Sequence, residues 1–231
     1  MFIADGTVKG ANIMQFIHEE RFQSYEIESV TTEQGRKYWV PDASEPYESV
    51  TTALGNQPGK KQAIQEWRNR VGDEEANRIS RIATTRGTAV HSIIEDYLDN
   101  KPDYLKNRMP DAVVMFKTLQ PILDKAIAKV YMQESPLWSH QYRLAGRVDC
   151  VAEVNGKLTV VDFKTSMKPK KRDWITDYYL QTAAYSHMIH ELYGEMPSQT
   201  VIFIAVQDST PQIFVGDPNV HIQHSFFKER L

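Results

Sequence analysis

Asp149, Asp162 and Lys164 are the residues whose types and spacing most suggest chemistry. They lie on two runs, 146–154 and 157–164, rich in β-branched residues and separated by Asn155-Gly156. Asn-Gly between such runs signals a two-residue hairpin turn. That turn sets the register: Val154 faces Lys157, and counting back places Asp149 opposite Asp162 on one face, with Cβ atoms roughly 5 Å apart. Facing carboxylates repel, and more strongly where apolar neighbours reduce screening. Lys164, two residues past Asp162, projects from the same face. A divalent cation held between the acids would complete the charge balance, and hard oxygen donors suit Mg²⁺ or Mn²⁺. The competing reading is a surface hairpin with solvated acids, and a β-bulge would shift the register by one residue.

Two further pairs sit four apart on expected helices and so share a helix face. His91 with Glu95 could ligate or orient a metal, although alone such a pair usually faces solvent. Gln181 with Tyr185 offers neutral hydrogen bonds for a phosphate or for Lys164; alone it reads as a polar boundary stripe. Between the hairpin and the second helix runs Lys168-Pro-Lys-Lys-Arg172. Such a run is ordinarily a solvated loop, and here it could hold phosphates. Arg86, Arg143 and Arg147 are further candidates for phosphate contacts. Trp67, Trp138, Trp174, Tyr178 and Tyr179 could stack on bases, although most aromatics in such a chain belong to the core.

The elements that must position these groups follow from periodicity. Turn formers crowd the first 60 residues, with a short helix expected over 11–22 and strands near 25–31 and 36–40. Helices are expected over 60–70 and from Asp73, its N-cap, to 98, with Gly87 interrupting the second or allowing close backbone approach, and over 111–131. Strands follow over 138–144, 146–154 and 157–164. Asp173 caps a helix that ends at Gly194, and two strands and a short terminal helix close the chain. The order predicts an α/β fold with a central mixed β-sheet flanked by α-helices.

Composition excludes several classes. The chain has 231 residues, 41% hydrophobic, with 27 Lys+Arg against 30 Asp+Glu and a net charge of −3. It is no generic polycation, so nucleic-acid binding would need a local patch. No stretch approaches the roughly 20 apolar residues of a membrane span. Cys150 is the single cysteine, which rules out an internal disulfide or an iron–sulfur cluster within the chain. The N-terminus has neither secretory nor mitochondrial leader character. A cytoplasmic protein, of a bacterium or a phage-infected host cell, is expected.

Taken together, Gly87-Thr88-Ala89-Val90-His91 with Glu95, Gly146-Arg147-Val148-Asp149, Asp162-Phe163-Lys164-Thr165 and Gln181-Thr-Ala-Ala-Tyr185 resemble the PD-(D/E)XK nuclease superfamily in its RecB-type exonuclease branch. The last is the QxxxY pattern of that branch. Ser49-Val50-Thr51-Thr52 and Asp162-Phe163-Lys164-Thr165-Ser166 look most like its mitochondrial and phage members. The resemblance covers about 100 residues, from Arg86 to Tyr185.

The resemblance implies a restriction-endonuclease-like core and metal-dependent hydrolysis of DNA phosphodiesters, on single-stranded ends, in replication, recombination or repair. Asp149, Asp162 and the Phe163 carbonyl would hold Mg²⁺ or Mn²⁺, with His91 as a further ligand. Lys164 would orient or help deprotonate the attacking water and stabilise the transition state, supported by Gln181 and Tyr185. Glu95 would bind a second metal or orient His91. Arg86, Arg147, Thr165, Ser166, Lys168, Lys170, Lys171 and Arg172 would contact DNA. The second acid is Asp162 where a Glu is also allowed. Replication or recombination proteins are expected partners. Residues 61–231 would form the nuclease core, and residues 1–60 a cover that threads the DNA end. Two alternatives stay open: a duplex-resecting enzyme or endonuclease on the same core, and a catalytically silent DNA-binding module.

Overall fold

A computed structural model describes residues 15–231. Four short strands open the described chain: β1 (Ile17–His18), β2 (Glu28–Thr32), β3 (Gly35–Trp39) and β4 (Tyr47–Ser49). Helices α1 (Val50–Gly55), α2 (Pro58–Val71), α3 (Asp73–Leu98) and α4 (Pro110–Ala126) follow. A three-stranded meander, β5 (Ile127–Ser139), β6 (Leu144–Val154) and β7 (Lys157–Ser166), leads into α5 (Thr176–Tyr193). Strands β8 (Gln199–Val206) and β9 (Gln212–Gly216) and the short helices α6 (Pro218–His221) and α7 (Ser225–Lys228) complete the chain.

All described strands belong to one mixed sheet, ordered β2-β3-β4-β6-β7-β8-β9, with β5 on the other edge of β6 and β1 beside β5. Helices cover both faces. Val90, Ile93, Tyr97, Phe116 and Leu119 from α3 and α4 pack on Cys150, Val161 and Phe163. Leu180, Ala184 and Met188 from α5 pack on Val148, Val151 and Val160. Each such buried Val, Leu, Ile, Phe or Met side chain contributes roughly 1.5–3 kcal/mol of transfer free energy.

The sheet is split at its centre. β6 pairs with β7 from Val154–Lys157 back to Cys150–Val161, as the Asn155-Gly156 turn dictates, and no further. Its first residues pair instead with β4, through Glu48–Leu144 and Ser49–Ala145. Between these ladders, Gly146 to Asp149 have no strand partner on that edge. Strands β2–β4 are thus continuous with the sheet that carries the hairpin.

Four expectations need correction. The strand expected over 138–144 is broken by a turn at 140–143, between the end of β5 and the start of β6. Residues 127–131 are not the end of a helix: α4 stops at Ala126 and β5 begins. β5 is buried on both faces over much of its length, so it shows no alternation to separate strand from helix. Gly87 does not interrupt α3, which runs unbroken for 26 residues; a Cβ there would lie 3.7 Å from Thr165 Oγ1, so the helix simply packs close to β7. Of the helix expected over 11–22, residues 11–14 lie outside the described residues and 15–22 hold only β1, which pairs with β5. The caps also shift by a residue or more: Gly72 precedes α3, and Asp173 lies in a 3-10 turn ahead of α5.

Candidate active site

The split in the sheet is where the candidate residues meet. Its cleft, of about 650 Å³, is lined by Gly87, His91 and Glu95 from α3, by Gly146, Arg147, Asp149 and Lys164 from the hairpin, and by Gln181 and Tyr185 from α5. Residues from helices on opposite faces of a sheet share one cavity because the strands between them have parted.

Asp149 and Asp162 do not form the facing rung that simple register arithmetic expects. The ladder ends one pair earlier, and Asp149 Oδ2 instead accepts the backbone N–H of Phe163 at 2.8 Å. Parting the strands relieves carboxylate repulsion and gives that N–H an acceptor. In a strand the N–H and C=O of one residue point the same way, so the Phe163 carbonyl also faces the split.

Asp162 is only 2% exposed. Lys164 Nζ lies 2.5 Å from each of its oxygens, and Oδ2 has no other partner among the described residues. Burial pushes the Asp162 carboxyl up to about 6; the Lys164 charge opposes this and Asp149 adds to it. Burial acts to lower Lys164, but Asp162 and Asp149 outweigh it and hold the ammonium above its ordinary value. Lys164 therefore keeps its positive charge beside Asp162 in the metal-free protein. Its ammonium also lies 5.2 Å from the centre of the Tyr178 ring, so Tyr178 packs on the lysine rather than standing free to stack on a base.

Glu134 completes the group, and the sequence reading missed it. Gln133 pairs with Cys150 and Ser135 with Val148, which sets Glu134 opposite Asp149. Its φ of 44° lies in the left-handed region, uncommon for a residue with a side chain. His91, Glu134 and Asp149 each bring one ligand atom to within 4.8 Å of the others, and His91 Nδ1 is 3.6 Å from Asp149 Oδ2. Burial, then Asp149 and Glu95, push the Glu134 carboxyl up to about 7. The signal that could have found it is the turn at 140–143, which joins β5 to β6 and pairs Ser139 with Leu144; the strand expected over 138–144 covers those residues, so the register that brings Glu134 to Asp149 goes uncounted.

The donor set fits a hard divalent cation: carboxylates outnumber nearby cations, an imidazole is in reach, and a buried carboxylate oxygen lacks a second partner. Gln181 and Tyr185 are buried beside this set. Burial holds the Tyr185 hydroxyl well above its ordinary range, so it stays neutral. A Cβ on Gly146 would lie 2.6 Å from that hydroxyl, so glycine there lets Tyr185 reach the sheet.

The expected DNA contacts divide. Arg147 is exposed and donates to the Glu134 carbonyl at 2.6 Å. Arg86 is buried, its guanidinium against the Met167 sulfur. Ser166 is buried and donates to the Lys168 carbonyl, shaping the loop, and Thr165 is half-buried under Gly87. Lys168, Lys171 and Arg172 are exposed. Lys170 is tied through its backbone to Gln212. Arg143 pairs with Glu45. Trp138 and Tyr179 are core residues, whereas Trp174 is exposed.

A family model described as the PD-(D/E)XK nuclease superfamily matches residues 62–223. The chain belongs to that superfamily, and its central mixed sheet with helices on both faces is the restriction-endonuclease-like core. Among curated relatives it is similar to mitochondrial genome maintenance exonuclease 1 of Homo sapiens, 30% identical over 174 residues, 71% of this chain and 50% of the relative. The Xenopus tropicalis protein of the same name is 30% identical over 175 residues, 71% of this chain and 49% of the relative. The chain thus spans about half the length of these relatives. A solved structure from Eubacterium rectale, 15% identical, covers 80% of this chain and 75% of its own with a TM-score of 0.44, too distant to bear on function. No helix among the described residues is long and apolar enough to cross a membrane.

Proposed function

We propose that this protein is a Mg²⁺- or Mn²⁺-dependent deoxyribonuclease that removes nucleotides from single-stranded DNA ends, in replication, recombination or repair. The observation that carries this reading is the convergence of His91, Glu134, Asp149, Asp162 and Lys164 at one split in the sheet. His91, Asp149, Asp162 and the Phe163 carbonyl would hold the cation, with Glu134 joining them and Glu95 in reach. Such a cation, when bound, polarises a phosphoryl oxygen and lowers the pKa of bound water.

The chain's own groups supply the rest. The Lys164 ammonium stabilises charge that develops on the phosphate, because it is held positive between Asp162 and the Tyr178 ring. The neutral Tyr185 hydroxyl and the Gln181 amide donate hydrogen bonds toward Lys164 or the scissile phosphate. Arg147 and the loop Lys168-Pro-Lys-Lys-Arg172 hold the flanking backbone, with Lys170 contributing its charge from a clamped position. Arg86, Thr165 and Ser166 support this loop and the strand end from beneath. A cytoplasmic setting in a bacterium or phage-infected cell, and recruitment by replication or recombination proteins, complete the proposal.

The test is labelled linear single-stranded DNA with Mg²⁺, Mn²⁺ or chelator, for wild type, Lys164→Ala and Asp162→Asn. Cleavage should need the metal and vanish in both variants, with folding retained. Cleavage of circular single strands would point to an endonuclease instead, and binding without cleavage in Mn²⁺ to a silent module. A variant cutting at the wild-type rate would refute the site.

A further inference from the structure

Part of the cleft wall comes from residues outside the family match, which begins at residue 62. Arg36, Tyr38, Ser49 and Thr51 line the same cavity as His91 and Asp149. We propose that this wall is a phosphate subsite: Arg36, with Thr51 beside it, binds the backbone phosphate next to the scissile one and so restricts the cleft to one DNA strand. This deepens the nuclease reading and rests on it.

Three observations support the proposal. The first is a lock on the backbone. Arg36 N–H donates to Thr52 Oγ1 at 3.1 Å, and Ser49 Oγ, which caps α1 by accepting from Thr52 N–H at 3.0 Å, contacts the same hydroxyl at 2.8 Å. Gly35, at φ +116°, lets the hairpin close on this point, since a Cβ there would lie 2.3 Å from the Thr52 methyl. An exposed arginine that served only for solubility would need no such seat.

The second is charge. Of the permanently charged cations on the cleft, Lys164 is held by Asp162 and Arg147 donates to the Glu134 carbonyl. Arg36 is exposed and its guanidinium has no partner among the described residues. A planar guanidinium suits phosphate, and the acids across the cleft leave it as the wall's anion-binding group.

The third is size. A cleft of about 650 Å³ lies in the range of small-ligand sites, roughly 300–1,000 Å³. It accommodates stretches of one strand, and β4, paired to β6 through Glu48–Leu144 and Ser49–Ala145, bounds it as part of the sheet.

The experiment is a cycle between protein and DNA, read as binding in chelator and therefore independent of cleavage. The probe is a fluorescein-labelled single-stranded oligonucleotide of about 12 nucleotides, with one neutral methylphosphonate moved through each position. Wild-type and Arg36→Ala proteins are compared by anisotropy, with thermal unfolding as control. Arg36→Ala should weaken binding of the unmodified strand about tenfold, lower the salt slope by roughly 0.7 and leave the melting temperature unchanged. At one position the methylphosphonate should cost wild type the same factor and cost Arg36→Ala nothing more, and Arg36→Lys should recover part of the loss. Losses that add at every position, or wild-type affinity in Arg36→Ala, would overturn the subsite. Should the cycle hold in a protein that never cleaves DNA, the subsite stands and the nuclease reading falls.

Discussion

Phe163 donates its backbone N–H to Asp149 Oδ2 at 2.8 Å, one residue pair beyond the last rung joining β6 to β7. This bond marks the point where the sheet parts. It turns Asp149 toward His91 and leaves Asp162 with Lys164, so two acids that would repel as a facing rung become neighbours with separate partners.

The buried Asp162–Lys164 pair should be needed for turnover and dispensable for folding. Lys164→Ala leaves a buried carboxylate near neutrality, but that carboxylate is already lifted to about 6 and takes up a proton. Both Lys164→Ala and Asp162→Asn should lower kcat by at least about 100-fold, the scale of one lost transition-state charge contact, while circular dichroism stays that of wild type.

Metal-free protein should lose stability as pH rises. Burial lifts Asp162 to about 6 and Glu134 to about 7, so the folded state holds these protons more tightly than the unfolded chain. Their contribution is present at low pH and disappears as pH climbs through those values. The melting temperature should fall between about pH 4 and about pH 7, by the equivalent of about 1–3 kcal/mol after allowance for coupling and partial exposure. Glu134→Gln should flatten the upper part of that fall, and Mg²⁺ or Mn²⁺ should restore stability at the alkaline end. A flat profile without metal would contradict the burial of these acids.

Glu134→Gln should also weaken Mn²⁺ binding, measured by calorimetry, by about 10- to 100-fold. Unchanged affinity would place Glu134 outside the cation's reach.

Gly146→Ala should test the contact between the hairpin and α5. The added methyl meets the Tyr185 hydroxyl at 2.6 Å in a buried setting, so one of them must move. A loss of about 1–3 kcal/mol is expected, read from denaturant unfolding, with activity falling as well. Tyr185→Phe in the same background should recover part of the stability.

Tyr178 should act through its ring. Tyr178→Phe keeps the face against Lys164 and should retain activity. Tyr178→Leu removes an attraction of about 0.5–2 kcal/mol and should lower kcat several-fold with KM little changed.

Much of the site was legible because short-range rules govern it. Asn155-Gly156 sets the upper rungs of the β6–β7 hairpin, and the i, i+4 spacing puts His91 with Glu95 and Gln181 with Tyr185; the passage from helices to sheet, expected near residue 136, falls instead at Ala126–Ile127. Tertiary structure decided the rest. Glu134 reaches Asp149 through a β5–β6 pair whose turn, at 140–143, carries no Asn-Gly-type signal and falls where a strand was expected. Arg36 reaches the cleft only because β4 joins β6 where β7 leaves it. Local sequence carries turn geometry and helix facing within a few residues. Where a ladder breaks, and which distant strand takes the vacated edge, depends on repulsion, burial and backbone pairing summed across the whole sheet, and no single segment holds that information.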